Sequence, residues 1–193
     1  MPFAKDHEWQ LAMRDKILIP HFYQRFFWLR FELITDTATQ KRGIDTIILG
    51  SSDPVTIDEK IVRWPKNKDG TPRVEPLTAF ALETHSCTNP GYESAGWMSW
   101  CEADRLLYCF SSLHEDGLRC FWMDFPRLKA WFWPKVSSFS VWRGENELRS
   151  ICRIVPIDVV KENVNLRYWG LANALGGMPG MRTFEQGSKE STA

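Results

Sequence analysis

The chain has 193 residues, 44% hydrophobic and 25% charged, with a formal net charge of zero and a pI near 6.9. That length suits one domain with its own core. The even charge excludes a uniformly basic nucleic-acid binder, so any such interface must be a local patch.

The five cysteines (Cys87, Cys101, Cys109, Cys120, Cys152) form no CxxC and no zinc-site spacing. They predict free, mostly buried thiols and exclude a disulfide framework. The first residues lack the apolar core of a signal peptide, and no run of about 18 apolar residues occurs to span a membrane. A cytoplasmic protein that touches no membrane is the expectation. Ten Trp and twelve Phe predict a dense core or a sticky surface.

In chain order, Asp6 to Arg30 reads as helix in pieces, with a stripe through Trp9, Leu11, Met13, Ile17 and Leu18 and a break or bend at Pro20. The aromatic run "HFYQRFFWLRFEL" fits helix or strand. "TDTATQKRG" is loop-like. "IDTIIL" (44–49) and "VTIDEKIV" (55–62) read as strands joined by the turn "GSSDP". A polar loop, Arg63 to Pro76, leads to a third strand over Leu77 to Ser86. Trp97 to Phe110 fits an amphipathic helix with Trp97, Trp100, Leu107 and Phe110 near one face. "LRCFWMDF" is a fourth strand, and Pro126 opens a short helix. "SSFSVWRG" and "RSICRIVPI" are later strands.

The predicted order is helix, three-strand meander, helix, strand, then additions: an α/β chain with a mixed sheet. Residues 1–175 are expected to form a single domain, with a core over 6–125 and additional strands and helix over 126–175. Residues 176–193 read as a flexible tail.

The charged centre of the second strand needs a reason. Residues two apart in a strand share a face, so Asp58 and Lys60 point the same way. A hairpin-like turn brings Asp45 towards Asp58. Two carboxylates there can bind a hard divalent ion, Mg²⁺ or Mn²⁺. Lys60 beside them can contact a phosphate, or orient and help deprotonate water. Glu83 of the third strand is placed to join them. Glu59 shares the other face with Val55, Ile57 and Ile61 and needs a partner there. The plain alternative for the triplet is an ion pair on an edge strand.

This constellation, with "QKRGID", "IDEK" and "LTAFALE" in that order, resembles the PD-(D/E)xK, or restriction-endonuclease-like, nuclease superfamily. The likeness covers roughly Thr35 to Phe110 and is nearest to small members from phages and mobile elements. It implies a metal-dependent nuclease that cleaves DNA phosphodiester bonds. Asp45 and Asp58 would be metal ligands, the Glu59 carbonyl a further ligand, and Lys60 the water-positioning residue. Glu83 and Gln40 would be additional catalytic positions, and Glu8 of the first helix a possible further acid. Two positions depart from the pattern: Glu59 replaces an apolar or small residue, and Ile44 replaces Pro.

Arg42, Arg63, Lys66 and Lys68, with Arg73, are candidate DNA contacts. A homodimer or a protein partner would supply specificity, because no recognition domain is visible. The competing function is a non-catalytic nuclease-fold binding module, such as a phage protein that inhibits a host protein. The neutral charge and many aromatic residues suit that reading. His85 and His114 read as structural. The glycines of "GLANALGGMPG" do not make a dinucleotide or phosphate loop.

Overall fold

The computed structural model describes residues 2–27, 30–50, 53–63, 78–111, 117–144 and 149–172. The polar loop with Lys66, Lys68 and Arg73, His114 and the tail from Gly176 lie outside the described residues.

The chain opens with one continuous helical run. α1 (Pro2–Met13) passes into a π-helical segment (Arg14–Tyr23), then into α2 (Gln24–Phe27). Pro20 does not break it. The wider π winding holds the residue whose ring would collide with a carbonyl in an α-helix. This run lays Met13, Ile17, Leu18, Phe22 and Tyr23 on the sheet.

The main sheet is mixed and six-stranded. Its strands are β1 (Phe31–Leu33), β2 (Thr46–Ile48), β3 (Val55–Val62), β6 (Arg105–Ser111), β7 (Gly117–Asp124) and β10 (Leu166–Ala172), in that spatial order. β1, β2 and β3 form an antiparallel meander. β3 and β6 then pair in parallel, and β7 and β10 continue antiparallel. A smaller antiparallel sheet has the order β5 (Ser94–Ala95), β4 (Ala79–Cys87), β9 (Ile151–Pro156), β8 (Ser140–Arg143).

Two expectations are corrected here. The strand over Leu77 to Ser86 exists as β4, but it leaves the main sheet. The third member of the meander is β1, cut from the end of the aromatic run. The amphipathic helix over Trp97 to Phe110 is one turn only, α4 (Trp97–Trp100), and the rest is β6. Leu106 to Phe110 is apolar throughout because β6 is buried on both faces. Such a run carries no alternation to separate strand from helix.

The two sheet faces have separate cores. The helical run covers Ile48, Ile57, Ile61, Leu107, Cys109, Leu118 and Cys120. On the other face, the small sheet brings Phe80, Leu82 and Val155 against Leu106, Tyr108, Phe110, Phe121 and Met123. α5 (Phe125–Phe132) adds Phe125, Leu128 and Phe132, capped by Asp124 through the Arg127 amide at 2.9 Å. α3 (Thr37–Gln40) and α6 (Ile157–Asn163) are short connectors. All five cysteines are free and buried. Among the described residues no helix is long and apolar enough to cross a membrane.

Candidate functional site

β3 is the third of six strands, but β2 pairs only with Val55, Thr56 and Ile57, so the charged triplet is laddered to β6 on one side and meets residue 45 on the other. The β2–β3 register ends at Thr46↔Ile57, and Asp45, the residue before it, comes close enough to Asp58 for its charge to act on that carboxyl. The Asp45 amide donates to the Ile57 carbonyl at 2.8 Å, so Asp45 and Thr46 both lie against Ile57, as at a β-bulge. Asp45 Oδ2 accepts the Glu59 amide at 2.8 Å. A residue's N–H and C=O leave a strand on the same edge, so the Glu59 carbonyl also points to the Asp45 side.

Residues 42–45 are held by the segment after α4. Gly43 adopts φ +73°, and a Cβ there would lie 2.6 Å from Cys101 Sγ. Glycine is therefore required twice over, for its backbone and for the close approach. The Glu102 amide donates to the Arg42 carbonyl at 2.9 Å. Asp104 clasps Thr56: its Oδ2 accepts the Thr56 amide at 2.8 Å and hydroxyl at 2.7 Å, and its own amide donates to that hydroxyl at 3.0 Å. This clasp fixes the parallel register of β3 against β6.

Alternation separates the triplet as the sequence requires. Asp58 and Lys60 face the core shared with the small sheet. Lys60 Nζ lies 2.6 Å from Asp58 Oδ1 and 5.2 Å from the Trp97 ring centroid. The Asp58 side chain is 1% exposed and that of Lys60 26%. Asp58 Oδ2 is buried with no hydrogen-bond partner. Burial, with Asp45 adding to it, pushes the Asp58 carboxyl up to about 6 despite the nearby ammonium. For Lys60, burial pulls downward, but Asp58 and Asp45 outweigh it and hold the ammonium above its ordinary value.

Glu59 turns to the helical run. Its Oε1 accepts the hydroxyls of Tyr23 and, at 2.6 Å, Thr46. Burial, then Asp45, raises its carboxyl to about 7. Asp45 and Glu59 line a cleft of about 80 Å³ with Gln10, Arg14 and Gln40. Gln40 Nε2 donates to the Ile34 carbonyl at 2.8 Å.

The expected site is therefore assembled in part. Asp45, Asp58, Lys60 and the Glu59 carbonyl edge come together, with Gln40 at the margin. Glu83 does not join them. It lies on β4 in the other sheet, accepts the Ser86 hydroxyl and sits beside Cys152. Glu8 is exposed and is not among the residues lining the Asp45 cleft. Arg42 is bound to Glu102 at 2.7 Å, and Arg63 stacks 4.5 Å from the Trp9 ring centroid. His85 Nδ1 lies 3.1 Å from the Thr84 hydroxyl.

Sequence reasoning missed Tyr23, Thr46, Asp104 and Trp97. Only Thr46 carried a signal, as a polar residue inside a β-branched run.

The donor set fits a hard divalent ion. Two carboxyls lie close enough to interact, one has a buried oxygen without a partner, and a carbonyl edge lies alongside. Among the described residues no three His, Cys, Asp or Glu side chains form a metal-binding group. A scan of family models, a search of curated proteins and a search of solved structures each return no match to this chain.

Proposed function

We propose that this chain is a metal-dependent phosphodiesterase acting on DNA, with a restriction-endonuclease-like core. One observation carries the reading: Asp58 Oδ2 is buried without a partner, close to a second carboxyl and on a residue whose other oxygen meets the Lys60 ammonium. A protein gains no stability from such an oxygen; burying it unpaired costs about 1–3 kcal/mol or more.

Asp45, Asp58 and the Glu59 carbonyl would hold Mg²⁺ or Mn²⁺. When bound, the ion polarises a phosphoryl oxygen and makes bound water more acidic. The chain's own residues do the rest. Asp58 sits on β3 and Asp45 on the residue that leads into β2, tied to β3 through the Ile57 carbonyl and the Glu59 amide, so the site is stiffer than one built on free loops. Lys60 stays protonated at neutral pH, so it acts as a charge rather than a base. It offsets the negative charge that builds on phosphorus and orients water by donation. Trp97 limits where its ammonium can go.

Topology supports the fold half of this reading. A helical run, an antiparallel meander and a parallel strand follow one another as in the resemblance. Two strands of the small sheet, β4 and β5, and the single turn α4 stand in the crossover where that family has a helix. DNA as substrate rests on the resemblance through "QKRGID" and "IDEK".

The second reading, a non-catalytic module, is favoured by exposed Tyr92, Trp100, Val141 and Trp142, which suit a protein partner. A cleavage assay separates the two. Linear, supercoiled, single-stranded and branched DNA are incubated with Mg²⁺, Mn²⁺ or EDTA, beside Asp58→Ala. Metal-dependent cutting that is lost in the variant is expected. No cutting of any form by folded protein would overturn the enzyme in favour of the module.

A further inference from the structure

A second cavity, of about 270 Å³, opens between β7, β10 and α6, away from the acidic pair. Its base is aromatic. The Phe121 and Tyr168 rings lie 5.1 Å apart at 41°. The Arg119 guanidinium lies 5.9 Å from the first centroid and 6.0 Å from the second. Lys161 and Asp158 stand on its α6 side, so two cations face one acid. Among the described residues Arg119 forms no ion pair with a carboxylate. Ile157 and Leu166 supply apolar wall.

The cavity has a defined relation to β3. Lys60 pairs with Tyr108, Tyr108 with Phe121, and Phe121 with Tyr168. The aromatic base therefore lies on the Lys60 face, two to three strand spacings away, or about 10–14 Å.

We infer that this cavity is a binding site for one nucleotide: a planar base against Tyr168, which Phe121 backs, with its phosphate on Arg119 and Lys161. The lining selects that class. An apolar ligand would bury the Arg119 fork without an acceptor. A bare anion would leave the half-buried Tyr168 ring, Ile157 and Leu166 facing water, while Phe121, 4% exposed, backs Tyr168. A base bearing a phosphate uses both surfaces: stacking on the Tyr168 ring and paired hydrogen bonds from the guanidinium. The volume is just below the roughly 300–1,000 Å³ of pockets for drug-sized ligands, so it admits one nucleotide and excludes a duplex. The ligand is either a free nucleotide or an unpaired nucleotide of a single strand.

The test is calorimetric titration in EDTA, which keeps the result independent of any metal at Asp45 and Asp58. The probes are thymidine 5′-monophosphate, adenosine 5′-monophosphate, thymidine and a short oligothymidylate. The proteins are wild type, Arg119→Gln and Lys161→Glu. Lys161 is exposed, so its variant keeps the fold. A monophosphate or the strand should bind wild type, and each substitution should weaken it about tenfold or more. Binding of the monophosphates marks a free-nucleotide site. Binding of the strand alone marks a subsite for unpaired nucleic acid. No binding of the monophosphates or the strand, wild-type affinity in both variants, or thymidine binding as tightly as its monophosphate would overturn the inference.

Discussion

Asp58 and Glu59 are neighbours on one strand, yet their surroundings differ in kind. Glu59 is answered: two hydroxyls converge on its Oε1, and Arg14 adds an attractive charge. Asp58 is answered on one oxygen by Lys60 and left open on the other. Both carboxyls are pushed up by burial and by Asp45, so neither is shielded from its neighbour's charge. A carboxylate that only holds the fold together finds donors from the fold. One left unpaired in the same strand points to a ligand that the chain itself does not provide.

Four experiments can break or sharpen that contrast. The largest effect is on activity. Asp58→Ala should lower metal-dependent cleavage by about 10³-fold or more, while stability in EDTA holds or rises. Wild-type rates in the variant would remove Asp58 from the site.

Glu59→Ala should do the opposite to stability. It leaves the Tyr23 and Thr46 hydroxyls without their acceptor and opens a cavity, a loss of about 2–4 kcal/mol by urea unfolding. A loss under about 1 kcal/mol would erase the distinction between the two carboxylates.

The third is pH. Asp58 at about 6 and Glu59 at about 7 lie above their ordinary values, so the folded chain binds more protons than the unfolded chain between about pH 4 and 7. Their contribution to stability is full below the unfolded values and lost as pH rises through the folded ones. In EDTA, stability should fall by about 1–3 kcal/mol from pH 5 to pH 8. Asp58→Asn should flatten part of that slope, and saturating Mn²⁺ should flatten or reverse it. A slope identical in wild type and variant would contradict the raised Asp58.

The smallest effect is at Arg42, which pairs with Glu102 in the open, outside both carboxylate environments. Arg42→Ala should change stability by no more than about 0.5 kcal/mol in thermal unfolding. A larger loss would mean that this pair anchors Asp45 through the adjoining Gly43.

The acidic pair and its lysine were legible because strand alternation and one hairpin register fix them locally. The β2–β3 pairing needed only the turn signal between them. The partner of Glu59 was not legible. Tyr23 reaches it from a helical run 36 residues away, and nothing local encodes that approach. Glu83 was misplaced because an apolar strand does not state which sheet it joins. β6 was misread because a strand buried on both faces loses the period that marks a strand. The π-helical segment was unforeseen, since Pro20 ordinarily ends an α-helix.

The most direct test is calorimetric titration of Mn²⁺ into metal-free wild type and Asp58→Asn at pH 7.5, with Glu59→Gln as a neighbouring control. The account predicts a site in wild type that is lost in Asp58→Asn and kept in Glu59→Gln, whose backbone carbonyl is unchanged. Equal Mn²⁺ binding by wild type and Asp58→Asn, or none by folded wild type, would contradict it.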